Sequence, residues 1–325
     1  MIQLEGISKS YKIAKRSTGL RQAAKALFYR EHTIVDALKD LSFSINQGEI
    51  VGYIGPNGAG KSTTIKVMSG ILVPDTGKCT IMGFTPWKDR IQYVKNIGVV
   101  FGQRSQLWWD VPVMDSFELL RDIYKVPQQD YKSTIDLLIE TLELQEIVHL
   151  PVRQLSLGQR MRCEIGASLI HNPKILFLDE PTIGLDAVSK IAVRQFIKTI
   201  NKEKGATIIL TTHDMNDIEA LADRVILVGK GSLLYDGNLA ELRKRFGTHK
   251  TITADYVKNI NSIRIPGAAT LSWTPERVVL SIDTEQVKTS EVIKQLSNKV
   301  DLLDVTVETQ PIEDIIVRLY REYQI

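Results

Sequence analysis

The stretch Gly55-Pro56-Asn57-Gly58-Ala59-Gly60-Lys61-Ser62-Thr63 has the residue types and spacing that hold phosphate, matching G-x-x-x-x-G-K-[ST]. Glycine is needed at Gly55, Gly58 and Gly60 because the backbone must turn tightly and bring its N–H groups to phosphate oxygens with no Cβ in the way. Pro56, Asn57 and Ala59 complete the cradle. Lys61 would reach the β- and γ-phosphates of a nucleotide, Ser62 would bind Mg²⁺, and Thr63 would help hold the α-phosphate. Far along the chain, Asp179-Glu180 supplies two adjacent carboxylates. Asp179 is the candidate for the Mg²⁺ shell, through water, and Glu180 is placed to orient or deprotonate an attacking water. Alone, the first could be a glycine turn before a helix and the second an acidic turn after a strand. Together they point to phosphate chemistry.

Such groups must be delivered by particular elements. Val51-Gly52-Tyr53-Ile54 reads as a buried strand and the residues from Lys61 onward as a helix, whose N-terminal dipole favours an anion. Ile175-Leu176-Phe177-Leu178 is a continuous apolar run, as a strand of a buried parallel sheet should be, and it ends at Asp179. Ile208-Ile209-Leu210 is a third such run and leads to His213. In an open α/β sheet, ligands collect at the C-terminal ends of the strands, where all three runs place their polar residues.

The order of motifs resembles the nucleotide-binding domain of ABC transporters over residues 1–237. The resemblance implies a P-loop NTPase (RecA-like) α/β core with a helical subdomain over about 104–165, and ATP and Mg²⁺ as ligands. It also implies roles for further residues. Tyr11 looks like the aromatic that stacks on adenine, and Gln103 like the glutamine that senses Mg²⁺ and the attacking water. In Leu155-Ser156-Leu157-Gly158-Gln159-Arg160, Ser156 and Gly158, with Gln159 beside them, resemble the signature that contacts the γ-phosphate held by an opposite subunit. Gly184-Leu185-Asp186 resembles the loop that couples two sites across a dimer, and His213 the histidine that touches the γ-phosphate. Two departures stand out. Leu157 occupies a position where the signature usually has glycine, and its side chain limits how closely the backbone approaches phosphate. Gly102 is an extra residue before Gln103, so Gln106 is an alternative, less favoured, for the sensing glutamine.

Composition narrows the class. At 325 residues, with 43% hydrophobic and 24% charged residues, the chain has room for one large domain and a small one. No run of apolar residues is long enough to span a bilayer, and the first residues lack the basic and apolar regions of a signal peptide. Cys79 and Cys163 are too few and too far apart for a disulfide or metal framework, which fits a reducing cytosol. A net charge of +3 is too small to indicate nucleic acid.

The organisation predicted is a nucleotide-binding domain over 1–240 and an accessory α+β domain over 241–325. Within the first, an insertion over 12–34 carries a basic amphipathic helix at 12–30. Leu20, Ala23, Ala24, Leu27 and Phe28 share one face of it and Arg21 and Lys25 lie off that face. Such a helix suits anionic lipid headgroups or the loop of a membrane partner, or folds back on its own domain. The insertion resembles a basic element of ATPases paired with polysaccharide and drug exporters. Residues 116–144 read as helical with a break at Pro127. Trp108 and Trp109 suggest either a groove that receives a permease helix or ordinary packing. After residue 240 the pattern predicts a strand at 277–283, a helix at 284–299, a strand at 302–308 and a last helix from Pro311. Ile312, Ile315, Ile316, Leu319, Tyr320 and Tyr323 form the packed face of that helix.

The resemblance thus implies an ATPase that closes on two ATP·Mg²⁺ with a second copy of itself or a related subunit. It would drive a separate integral-membrane permease from the cytoplasmic side of the membrane as a peripheral subunit. Export of a drug-like, lipid or polysaccharide substrate is favoured. The competing readings are a soluble ATPase acting on ribosomes or DNA, an importer ATPase with a regulatory C-terminal domain, and a non-hydrolysing module. The first lacks support because there is one phosphate loop, no sustained heptad pattern and no cysteine cluster; the last is disfavoured by Glu180 and His213.

Overall fold

Backbone pairing sorts the described residues, 1–14, 32–102, 104–258 and 262–323 of this computed structural model, into three sheets. They divide into two compact units, Met1–Gly237 and Asn238–Ile325.

In the first unit, the long strands β1 (Ile2–Ala14) and β2 (His32–Ile45) pair antiparallel, and β4 (Thr76–Ile81) joins β1 on its other side. The core sheet is made of β3 (Ile50–Ile54), β5 (Ile97–Phe101), β6 (Ile175–Asp179), β7 (Thr207–Thr211), β8 (Arg224–Gly229) and β9 (Ser232–Asn238), in the order β5-β6-β7-β3-β8-β9. The pairs from β5 through β8 are parallel. These strands are buried on both faces: every residue of β7 is buried, as is all but the last of β6. Uninterrupted apolar runs are the sequence that such strands require. The expected strands at 51–54, 175–178 and 208–210 are therefore present, with a residue or so added at their ends.

Helix Lys61–Met68 follows β3 after the glycine-rich loop 55–60. The helices Val113–Tyr124 and Gln128–Thr141 are separated where Lys125 takes a left-handed φ of 56° and Pro127 leads into the second helix, so the predicted break is observed. Helix Leu157–Leu169 precedes β6, and Ala187–Lys204 and Met215–Leu221 follow it. The main apolar core joins Ile2, Leu41, Tyr53, Ile65, Phe177 and Ile226, which pins the antiparallel sheet and the phosphate loop's helix to the parallel one.

The predicted insertion differs at both ends. Lys12, Ile13 and Ala14 pair with Ile34, Thr33 and His32, so 12–14 and 32–34 extend the β1–β2 ladder; Lys12 begins no helix. Residues Leu20, Arg21, Ala23, Ala24, Lys25, Leu27 and Phe28 lie outside the described residues.

The second unit is an antiparallel sheet, β11 (Ala268–Thr274), β12 (Arg277–Asp283), β10 (His249–Tyr256) and β13 (Leu302–Thr309) in that order, with helices Leu239–Phe246, Thr289–Ser297 and Ile312–Glu322. It has its own core, including Ile252, Tyr256, Leu280, Val292 and Leu296. The helix expected at 284–299 begins only at Thr289. The Asp283 carboxylate accepts hydrogen bonds from Glu285 N at 3.1 Å and Gln286 Nε2 at 3.1 Å, which holds the intervening residues in a turn. On the last helix, Ile312, Ile315, Ile316 and Leu319 are buried as expected, but Tyr323 follows the helix end and is 53% exposed. Among the described residues no helix is long and apolar enough to cross a membrane.

Candidate functional site

Gly58 and Gly60 adopt φ of 80° and 102°, left-handed conformations that side chains disfavour. A Cβ on Gly60 would lie 2.5 Å from the Ala37 carbonyl oxygen, and one on Gly55 would lie 2.7 Å from that of Val228. These glycines are thus required by the backbone's path as well as by any anion. The loop hands over to helix Lys61–Met68 through Gly60, which offers no side-chain cap to the first-turn N–H groups. Lys61 is 7% exposed, and its Nζ donates to the Gly55 carbonyl at 2.6 Å and the Pro56 carbonyl at 3.2 Å. Burial lowers its pKa from the usual lysine value, and the nearby Glu180 and Asp179 carboxylates oppose that shift. Ala59 is buried, while Pro56, Asn57 and Thr63 line the same turn and first helical residues.

The two carboxylates sit at the end of β6. Asp179 Oδ1 accepts from the Thr211 hydroxyl of β7, and Oδ2 accepts from Ser62 Oγ at 3.2 Å. A hydroxyl and a carboxylate converging in this way are hard oxygen donors, a set that suits Mg²⁺ completed by water and phosphate oxygens. Glu180 has a left-handed φ of 56°, stabilised by its N–H, which donates to the Thr211 carbonyl at 2.9 Å. This backbone turn aims the side chain towards the loop after β7. There His213 Nε2 lies 3.1 Å from Glu180 Oε1.

The extra glycine has a local cause. Gly102 N donates to the Asp179 carbonyl at 2.9 Å, and a Cβ at Gly102 would sit 3.0 Å from that same oxygen. Gln103 lies outside the described residues. The alternative glutamine, Gln106, is turned elsewhere: its Nε2 donates to the Glu164 carbonyl at 2.9 Å, on helix Leu157–Leu169.

Ser156 caps that helix. Its Oγ accepts from Gln159 N at 3.2 Å while Gln159 Oε1 accepts from Ser156 N at 2.9 Å, a reciprocal capping box. Leu157 packs over the loop that follows Glu180: a Cβ on Gly184 would lie 2.5 Å from Leu157 Cδ2. Gly158 lies beside the same loop, where a Cβ would be 3.0 Å from the Gly184 carbonyl oxygen. The bulk of Leu157 is thus accommodated because position 184 is glycine, at φ 73°. Asp186 caps helix Ala187–Lys204, accepting from Ser189 N at 2.9 Å and Ser189 Oγ at 3.0 Å, and those bonds hold its carboxyl below the usual range. Tyr11 is on β1, paired with Val35 and 37% exposed.

Lys61, Ser62, Asp179, Glu180 and His213 therefore converge at one end of the parallel strands, whereas Ser156, Gly158 and Gln159 belong with the Gly184–Asp186 turn. Two supports escaped the sequence reading. Thr211 orients Asp179 through its hydroxyl and Glu180 through its carbonyl. Asp217 is fully buried, accepts from Thr182 Oγ1 and from Thr212 Oγ1 at 3.2 Å, and pairs with Arg194 at 2.5 Å. It ties the segment after Glu180 to the segment before His213. A buried aspartate in a helix's first turn carries no motif, so only its surroundings reveal it.

Comparison with known proteins places this geometry in context. A family model described as ABC transporter matches residues 38–183. Linearmycin resistance ATP-binding protein LnrL of Bacillus subtilis (strain 168) is 31% identical over 300 residues, covering 90% of this chain and 94% of the relative. Methionine import ATP-binding protein MetN 2 of Enterococcus faecalis is 30% identical over 286 residues, covering 84% and 83%. Two longer curated relatives are matched over 28% and 26% of their own length. Among solved structures, a dimeric ATP-binding cassette in a post-hydrolysis state bound to ADP and Pi has a TM-score of 0.63 and 27% identity, covering 74% of this chain and 99% of that one.

Proposed function

The chain belongs to the ABC transporter ATP-binding family, and from that premise we propose that it is an ATPase subunit that closes on ATP with a second copy and drives a membrane permease. The observation that carries the reading is the convergence of Lys61, Ser62, Asp179, Glu180 and His213, with Ser62 and Asp179 at 3.2 Å and Glu180 and His213 at 3.1 Å. In this reading the glycine-turned N–H groups and Lys61 bind the β- and γ-phosphates, Thr63 contributes at the α-phosphate, and Tyr11 stacks on adenine. Lys61 would exchange its bonds to the Gly55 and Pro56 carbonyls for stronger charge-assisted bonds to phosphate oxygens. Ser62 and Asp179, whose oxygens lie 3.2 Å apart, would hold Mg²⁺, and Gln103 is the further residue proposed to contribute to that site. When bound, the ion neutralises charge that develops on the phosphates.

Glu180 then orients, or takes a proton from, the water that attacks the γ-phosphate. His213 fixes the Glu180 carboxylate and contacts the γ-phosphate. Ser156, Gly158 and Gln159 meet the γ-phosphate of the partner's ATP at the positive end of their helix, and Asp186 lies at the coupling loop. Because ATP bridges two subunits only when they are closed, it favours the closed pair, and hydrolysis releases it.

The permease is proposed to dock at the exposed Trp108 and Trp109, which would make this subunit peripheral at the cytoplasmic face of the membrane. The basic segment 12–30 would add membrane contact. Export of an amphiphilic drug-like, lipid or polysaccharide substrate is the favoured direction, supported by the broad coverage of the linearmycin-resistance relative. Import with a regulatory C-terminal unit is the second reading, supported by the methionine-import relative. Replacing Lys61 with alanine tests the site: ATP hydrolysis by the purified chain should fall to background, and turnover at the unmodified rate would refute the assignment.

A further inference from the structure

Helix Leu157–Leu169 carries a carboxylate in an unexpected place. Glu164 is 3% exposed, eight residues past the signature serine, and belongs to none of the motifs above. Burial alone raises its pKa, so an acid here needs a reason. The reason is the segment that follows Gln103. Ser105 Oγ donates to Glu164 Oε1, and Gln106 N donates to Oε2 at 3.1 Å. Gln106 Nε2 returns to the Glu164 carbonyl at 2.9 Å, and Leu107 N donates to Ser105 Oγ at 3.1 Å. One turn earlier on the same helix, the Arg160 guanidinium lies 5.9 Å from the centre of the Trp109 ring. Residues 105–109 are thus strapped to one face of the helix whose N-terminus is Ser156.

We infer that Glu164 is a positioning residue: it buckles the segment after Gln103, and the tryptophans beyond it, to the signature helix, so that the ATP-sensing loop and the signature move as one body. This rests on the ATPase reading above. The carboxylate is suited to the task because it accepts from several donors at once, and each bond to a charged acceptor is stronger than a neutral one. An alanine there leaves the loop's donors facing an apolar gap. The phosphate loop itself makes none of these contacts. Its own affinity for nucleotide should therefore survive, while the alignment of Ser156 with a partner's ATP should not.

The test uses the full chain carrying Glu180→Gln, so that ATP·Mg²⁺ holds the closed pair. Into it are introduced Glu164→Ala, Glu164→Gln and Ser105→Ala. Two quantities are measured for each: ADP·Mg²⁺ affinity by calorimetry, which reads the phosphate loop, and the dissociation constant of the ATP-dependent dimer by analytical ultracentrifugation. Glu164→Ala should weaken the dimer about tenfold with ADP affinity unchanged, the scale expected from losing a charge-assisted bond. Ser105→Ala should move the dimer in the same direction by a smaller factor. Glu164→Gln should recover most of the loss, because its amide oxygen accepts from Gln106 N and its NH₂ donates to Ser105 Oγ. If Glu164→Ala does not fold, the other two variants decide. Dimerisation unchanged in Ser105→Ala, or ADP affinity falling in parallel with dimerisation, would overturn the inference. Failure of Glu180→Gln alone to dimerise would instead overturn the reading of ATP-driven closure beneath it.

Discussion

Leu157 and Gly184 show how a departure from a motif is absorbed by one partner residue. The leucine side chain occupies the space a Cβ at 184 would need, and Gly184 also has a left-handed φ of 73°. Gly184→Ala therefore faces two separate penalties and should destabilise the chain by about 1–3 kcal/mol in urea unfolding. Adding Leu157→Ala should recover only the part due to the clash, since the backbone conformation remains disfavoured; full recovery would mean that φ at 184 is unimportant. Asp217 makes a second case. Removing it as Asp217→Ala leaves Arg194 with the longer contact to Asp214 at 3.7 Å. The loss should be about 3–5 kcal/mol, with hydrolysis reduced because the segments around Glu180 and His213 lose their common anchor. Unfolding midpoints and turnover per folded molecule check both parts. At this scale Lys61, Ser62, Asp179 and Glu180 were legible from spacing, because their chemistry depends on neighbours in sequence. Glu164 and Asp217 were not. Their partners Ser105 and Arg194 are brought to them by the fold, and a lone acid in a helix pattern reads as a solvated one.

Among the elements, the parallel strands were the most legible, since burial on both faces demands apolar runs and the runs end where the polar groups begin. The β1–β2 ladder was not, because pairing of 12–14 with 32–34 depends on register between distant segments rather than on local pattern. The helix begun too early at 284 was a failure of turn chemistry: Asp283 bonds the residues after it and postpones the helix. One element junction makes a pH prediction. His171, just past helix Leu157–Leu169, stacks on Tyr124 with ring centres 3.9 Å apart and bonds the Ile97 carbonyl of β5 through Nε2 at 2.8 Å. Burial pushes its pKa down to about 4 from 6.5. The unfolded chain therefore binds the proton first, so this group's contribution is whole above pH 6.5 and is lost as pH falls through the window to about 4. The full loss is on the order of 3 kcal/mol. His171→Phe should make the acid limb of the stability profile shallower across that window; an unchanged slope would refute the assignment.

Across the whole molecule, every residue assigned to the nucleotide lies in the unit Met1–Gly237, and the C-terminal unit has a separate core. A fragment comprising 1–237 should therefore fold and bind ADP·Mg²⁺ with the affinity of the full chain, as calorimetry would show. A large loss would mean that the second unit supports the site. The account's central claim concerns two molecules: Lys61 and Glu180 of one copy and Ser156 of another act on the same ATP. The most direct measurement is the solution mass of the Glu180→Gln chain by light scattering with saturating ATP·Mg²⁺ and, separately, with ADP·Mg²⁺. The account predicts twice the 36.6 kDa chain mass with ATP and the single mass with ADP. A single mass under both conditions would contradict it.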